Sequence, residues 1–174
     1  DWAQKLFKLP FIGAPIQKIA EAVGNLMGYT FNLLEGKKFD QNAHSLYITL
    51  SSAGAAEYNA RFPQAVPETP CGEGAHEVNG VRYYSWGGTK VFTHALDPFD
   101  YLVLVTSQLF KGMEDPRSDG LVPRCSSHLG MVIRDDYRMN HLDEVNQVLG
   151  LRDPYTDPVA IFRQQANRLK LEGL

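Results

Sequence analysis

The chain offers little that would hold it to a membrane or to nucleic acid. Its longest uncharged stretch near the start, Ala22 to Leu34, is too short to span a bilayer. No charged segment leading into an apolar one marks a signal peptide, and the first residue is Asp1, not methionine. The expectation is a soluble chain, either cut from a longer precursor or recorded as a fragment of one. Net charge is −3 and the isoelectric point is near 5.9. The basic residues are scattered except for Arg163, Arg168 and Lys170, which fall late in an expected helix, where cations complement its dipole. A basic patch of the kind a nucleic-acid partner needs is missing. Cysteine is scarce as well, with only Cys71 and Cys125. Two thiols so far apart make a poor metal site. In a reducing compartment they would be independent, small, buried hydrophobes. In an oxidising one they would pair, and closing a loop of about 54 residues would stabilise the fold by about 4 kcal/mol.

What is present suits one domain over residues 1–174: 44% hydrophobic and 21% charged residues, with no internal repeat. The clearest amphipathic helix is expected over residues 14–34. Ile16, Ile19, Ala20, Val23, Leu26, Met27, Phe31 and Leu34 follow helical spacing, Pro15 suits its first turn and Gly36 its stop. It reads either as a helix packed on a core or as a mobile apolar flap, weakened by Gly24 and Gly28. Short helices are expected at His44–Leu50 and Ser52–Arg61, the second capped by Ser51 or Ser52. Asn79-Gly80 signals a hairpin between His76–Val78 and a strand running from Val81 to Trp86. Asp97-Pro98 caps a helix whose body, Tyr101 to Leu109, is almost wholly apolar and is expected to be buried. A strand at Leu129–Arg134, a short helix at Asp143–Leu149 ended by Gly150, and a last helix from Asp157-Pro158 to about Lys170 complete the pattern. It is mostly helical, and a full α/β sheet cannot be assembled from it. Most parallel strands are expected upstream of this sequence.

The stretch YRMNHLDEVNQ, Tyr137 to Gln147, places His141 two residues before Asp143. Upstream lies the loop SDGLVPRC, with Asp119 in its turn. A catalytic imidazole needs a carboxylate on Nδ1 to fix its tautomer and stabilise the imidazolium. An acid followed by a histidine is the order of the last two members of an α/β-hydrolase triad. The G-x-S-x-G pentapeptide that would carry the serine occurs nowhere in the sequence. For His44, His76, His94 and His128 a structural or surface role is the expectation. Asp97 and Asp143 are the types of ligand that calcium takes, but helix capping accounts for both.

The segments SDGLVPRCSSHLGMVIRDDYRMN, MNHLDEVNQVLGL, PCGEGAHEVNGVRYYSWGG, ALDPFD and ANRLK closely resemble the C-terminal region of secreted bacterial true lipases of the Pseudomonas–Burkholderia group. The resemblance is strong from about Ser51 onward and weaker over residues 1–50. It implies the C-terminal portion of an α/β-hydrolase fold, with a lid helix region at 14–36 and an acid/base, calcium and disulfide region at 51–174. It implies Asp119 as triad acid and His141 as triad base. A structural Ca2+ would be held by Asp97, Asp143 and the carbonyls of Gln147 and Leu151, and Cys71 would pair with Cys125. It implies hydrolysis of long-chain triacylglycerol esters at a lipid–water interface, secretion through the periplasm and a dedicated lipase foldase as partner. Neither nucleic acid nor a transmembrane segment belongs to that picture. Lacking the nucleophile elbow and oxyanion-hole donors, this sequence by itself is expected to be inactive. The alternative is a non-catalytic calcium- and lipid-surface-binding module derived from a lipase.

Overall fold

A computed structural model describes residues 25, 28, 29, 32, 36, 42, 45, 48, 49 and 51–174. The chain divides into two compact units, Asp1–Pro63 and Gln64–Leu174. In the first, Asn25, Gly28, Tyr29 and Asn32 are helical. The rest of the helix expected over 14–34 lies outside the described residues. Ser45, Ile48 and Thr49 are helical, with the Ser45 amide donating to Asn42 Oδ1 at 2.9 Å. Helix α1 (Ser52–Arg61) starts at Ser51, whose Oγ accepts from the Gly54 amide at 3.2 Å, one of the amides a helix start leaves unpaired. Arg61 and Glu57 pair at 2.7 Å along its exposed face.

The second unit begins with a hairpin. Strands β1 (Glu77–Val78) and β2 (Val81–Arg82) pair antiparallel across Asn79 and Gly80, at φ 53° and 78°. Both central positions of this turn need positive φ, which Asn and Gly supply. The single strand expected from Val81 to Trp86 is in fact two. Tyr83 donates its amide to His76 O at 2.8 Å, while its carbonyl accepts from Met131 N at 3.0 Å. The two sides of one residue thus serve different ladders. Strand β3 (Tyr84–Gly88) then pairs in parallel with β4 (Met131–Tyr137). From Ser51 onward there are three regular helices and two small sheets, one antiparallel and one parallel, a partial α/β arrangement.

Helix α2 (Pro98–Ser107) is capped by Asp97, which accepts from Phe99 N at 2.8 Å, with Pro98 in the first turn. Its apolar body is not buried as expected. Asp100 and Val103 are buried, whereas Tyr101 and Val105 are 53% and 65% exposed. Composition alone cannot bury a face. Within this unit the loop at residues 118–120 packs on the Val103 and Thr106 side, leaving the other side open.

Helix α3 (Pro158–Leu171) is capped by Asp157 and buries Pro158 and Ile161. Phe162 meets Trp86 of β3 edge-on at 5.4 Å. Glu172, just past its end, is held by Arg82 at 2.8 Å and by the Tyr84 hydroxyl. The helix expected at Asp143–Leu149 is replaced by two 3-10 turns, Asp143–Val145 and Val148–Gly150. Asn146, Val148 and Leu149 sit at φ 54°, 54° and 59°. Left-handed residues break an α-helical ladder, and for Val and Leu this conformation costs about 1–3 kcal/mol each. No helix among the described residues is long and apolar enough to cross a membrane.

Cys71 and Cys125 form a disulfide. Around it, Arg124 bridges Asp115 at 2.9 Å and Asp135 at 2.7 Å. His128 contacts Gly72 O and Asp135 at 2.9 Å each. Among the described residues the buried apolar side chains include Ala65, Val103, Met139, Leu142 and Ile161. Asp97, Asp100, Asp119, Asn140, Asp143 and Asp153 are buried beside them. A buried polar group is costly unless it is hydrogen-bonded, and a buried charge unless it is also paired.

Candidate active site

Asp119 sits in the loop between α2 and β4. The loop is closed by an antiparallel bridge between Ser118 and Pro123 and by the Arg124 amide on Arg117 O at 2.9 Å. Asp119 Oδ1 accepts from the amides of Leu121 at 2.8 Å and Val122 at 2.7 Å. Gly120 has φ +104°, and a Cβ there would lie 2.5 Å from Val103 Cβ, so a side chain is excluded both by conformation and by space. The Thr106 hydroxyl donates to Gly120 O at 2.6 Å, which ties the turn to α2. The carboxylate is therefore held rigidly, with Oδ2 left for another partner.

That partner is His141. Its Nδ1 lies 2.7 Å from Asp119 Oδ2, and its amide donates to Asp119 O at 3.0 Å. A carboxylate at Nδ1 selects the tautomer with the proton there. The hydrogen bond that Nδ1 donates to Asp119 raises the imidazole's pKa above its ordinary value, against the effect of burial. The His141 side chain is 38% exposed, and Nε2 carries no hydrogen bond among the described residues. The ring can therefore take a proton at Nε2 while Asp119 stabilises the resulting cation.

The loop under His141 is fixed by groups that the sequence did not single out. Asn140 Oδ1 accepts from Leu142 N at 2.9 Å and Asp143 N at 3.0 Å, and its Nδ2 donates to Asp100 Oδ1 at 2.5 Å. Asp100 also accepts from the amides of Thr93 at 2.5 Å and His94 at 2.6 Å. One buried carboxylate thus joins the segment before α2 to the base loop. Glu144 is the other addition. Its Oε1 accepts from Gly88 N at 2.6 Å, and it clusters with Asp119 and His141 so that one ligand atom of each lies within 4.8 Å of the others. Burial, followed by the charge of Asp119, pushes the Glu144 carboxyl up to about 7. An asparagine directly before the histidine is a turn signal legible in the sequence. Nothing local points to Glu144, because its neighbours come from β3 and the acid loop.

Asp97 and Asp143 are fully or almost fully buried, and each has one carboxylate oxygen, Oδ2 and Oδ1 respectively, with no hydrogen-bond partner. No salt bridge reaches either among the described residues. Burial is the main cause raising both pKa values, Asp143 to about 6, with Asp100 adding repulsion at both and Asp97 at Asp143. Asp153 shows the contrast: burial pushes it the same way, but Arg138 and Lys90 outweigh that and hold it down at about 2. Two orphaned, buried carboxylate oxygens without a cation are a donor set that fits a hard divalent ion. Gln147 lies between the two 3-10 turns and Leu151 directly follows them. The Gln147 carbonyl accepts from Gly150 N at 3.2 Å.

No protein-family model matches the chain. Curated relatives do. A triacylglycerol lipase of Vibrio cholerae is 49% identical over 140 residues, covering 80% of this chain and 44% of the relative. A triacylglycerol lipase of Burkholderia plantarii is 35% identical across 100% of this chain and 56% of the relative. One of Pseudomonas fragi is 34% identical over 91% of this chain and 56% of the relative. The chain spans about half the length of these curated relatives.

Proposed function

The chain belongs to the same family as the bacterial triacylglycerol lipases, matching a part of them, and from that premise we propose that it supplies the acid and base of a Ser-His-Asp ester hydrolase. The observation that carries the reading is the His141 Nδ1 to Asp119 Oδ2 contact of 2.7 Å, with Nε2 open. A serine on a part of the enzyme outside this sequence attacks the acylglycerol carbonyl. His141 accepts the serine proton at Nε2 and returns it to the departing glycerol oxygen, and Asp119 holds the ring and stabilises the imidazolium. In the second half-reaction His141 deprotonates water, which releases the fatty acid. The same proposal extends to the C-terminal portion of an α/β-hydrolase fold, a lid over residues 14–36, a lipid–water interface as working surface, secretion through the periplasm and a dedicated foldase. The Cys71–Cys125 bond supports the oxidising compartment.

Asp97, Asp143 and the carbonyls of Gln147 and Leu151 would hold a structural Ca2+. The ion would supply positive charge to two buried carboxylates and cross-link the α2 cap to the base loop. The orphaned oxygens of Asp97 and Asp143 support this. Chelation is expected to destabilise the folded protein by about 3 kcal/mol relative to calcium at a hundredfold or more above its dissociation constant. Thermal melts at graded calcium check this, and an unchanged melting temperature rules the ion out as a structural ligand.

The function itself is tested by treating the full-length protein with an alkyl fluorophosphonate in calcium buffer, followed by peptide mapping. Label on one serine outside this sequence is the expected result. Absence of label together with absence of ester turnover would instead favour the non-catalytic module.

A further inference from the structure

Asp119, His141 and Glu144 make a donor set of a different character from Asp97 and Asp143. It contains an imidazole nitrogen and two carboxylates, one ligand atom from each lying within 4.8 Å of the others. Both carboxylates are already oriented by backbone amides. Leu121 and Val122 hold Asp119 Oδ1, leaving Oδ2 facing the ring. Gly88 holds Glu144 Oε1 at 2.6 Å, leaving Oε2. Outer hydrogen bonds that fix ligand direction are what a metal site requires beyond the ligands themselves. The half-exposed ring gives an ion a way in. One imidazole and two carboxylates suit zinc, whose bonds to N and O are about 2.0–2.2 Å, whereas calcium takes six to eight oxygens. Ligand atoms on one tetrahedral ion with such bonds lie about 3.3 Å apart, so His141 Nδ1 and Asp119 Oδ2, now 2.7 Å apart, have to separate by about half an ångström, with Glu144 drawn to the same spacing.

We propose that Asp119, His141 and Glu144 form a second cation site that takes a zinc-class ion and that an ion there switches the base off. The ion occupies the place of the Nδ1 proton between the ring and Asp119 Oδ2. The ring stays neutral, so its single proton moves from Nδ1 to Nε2. An Nε2 that carries a proton donates and cannot accept one, and the lone pair that would take a serine proton is gone. The coordination stands on the cluster alone, while the loss of turnover rests on the lipase reading.

The test is zinc titration of the full-length protein, saturated with calcium, by calorimetry, and cobalt substitution followed by visible absorption. One zinc per chain is expected, with affinity at least tenfold weaker in Glu144→Gln and in His141→Ala. Melting in calcium shows that each variant is folded, and a third variant, His94→Ala, is expected to bind zinc as the parent does. In the parent protein, zinc should abolish ester turnover and a chelator selective for zinc over calcium should restore it. No zinc binding in calcium buffer, or binding that neither Glu144→Gln nor His141→Ala weakens, overturns the proposal. So does bound zinc with undiminished turnover. A protein with no turnover at all that still binds zinc through these residues retains the cation site and sinks the lipase reading instead.

Discussion

Replacing His141 with alanine in the full-length enzyme is expected to lower kcat by about 10⁵- to 10⁶-fold, which corresponds to about 7–8 kcal/mol of transition-state stabilisation. The folded state should lose far less. The ring is 38% exposed on its side chain, and its one hydrogen bond among the described residues is to Asp119. Removing it leaves Asp119 still bound by the Leu121 and Val122 amides, so the carboxylate is not orphaned. A single hydrogen bond of this kind is worth about 1–3 kcal/mol. The gap between these two magnitudes decides the matter. A structural histidine would move melting temperature and turnover together, whereas a catalytic one collapses turnover and leaves the melt nearly in place. Steady-state kinetics with a soluble ester, paired with melting in calcium, reads both. Turnover within tenfold of the parent would remove His141 as the base.

Much of the architecture was written in short local signals. Asp97-Pro98 and Asp157-Pro158 do start helices, because an aspartate side chain and a proline in the first turn act within a few residues of themselves. The Asn79-Gly80 turn works the same way. Non-local pairing was not written there. Nothing in Val81 to Trp86 says that Tyr83 gives its amide to one ladder and its carbonyl to another. The apolar run in α2 suggested burial, yet burial depends on what packs against the helix, and that is a property of other segments. Within the candidate site the resemblance pointed to Asp119 and His141, and the structure brings them together. Asp100, Asn140 and Glu144 were invisible because their roles exist only once distant segments converge: Asn140 meets Asp100 across 40 positions of sequence, and Glu144 meets Gly88 across 56.

The same convergence explains what the disulfide should do. Replacing Cys71 and Cys125 together by alanine is expected to destabilise the protein by about 4 kcal/mol, the chain-entropy value for the 54-residue separation that the bond closes. That is a large part of the total stability of a domain. Its effect on the acid should nevertheless be small at moderate temperature. The disulfide acts mainly by restricting the unfolded chain, and in the folded state its two ends are also joined without it. The carbonyl oxygen of Gly72, next to Cys71, lies 2.9 Å from His128 Nδ1, and Nε2 of the same ring reaches Asp135. Arg124, next to Cys125, holds Asp135 and Asp115. The loop carrying Asp119 is separately tied to α2 through Thr106. The double variant should therefore show a much lower denaturant midpoint but, below its melting temperature, a kcat within a few fold of the parent. Urea unfolding with turnover measured at 25 °C separates these effects. A kcat that falls with the midpoint even where the protein is fully folded would mean that the covalent bond, and not the Arg124 and His128 contacts, sets the position of the acid.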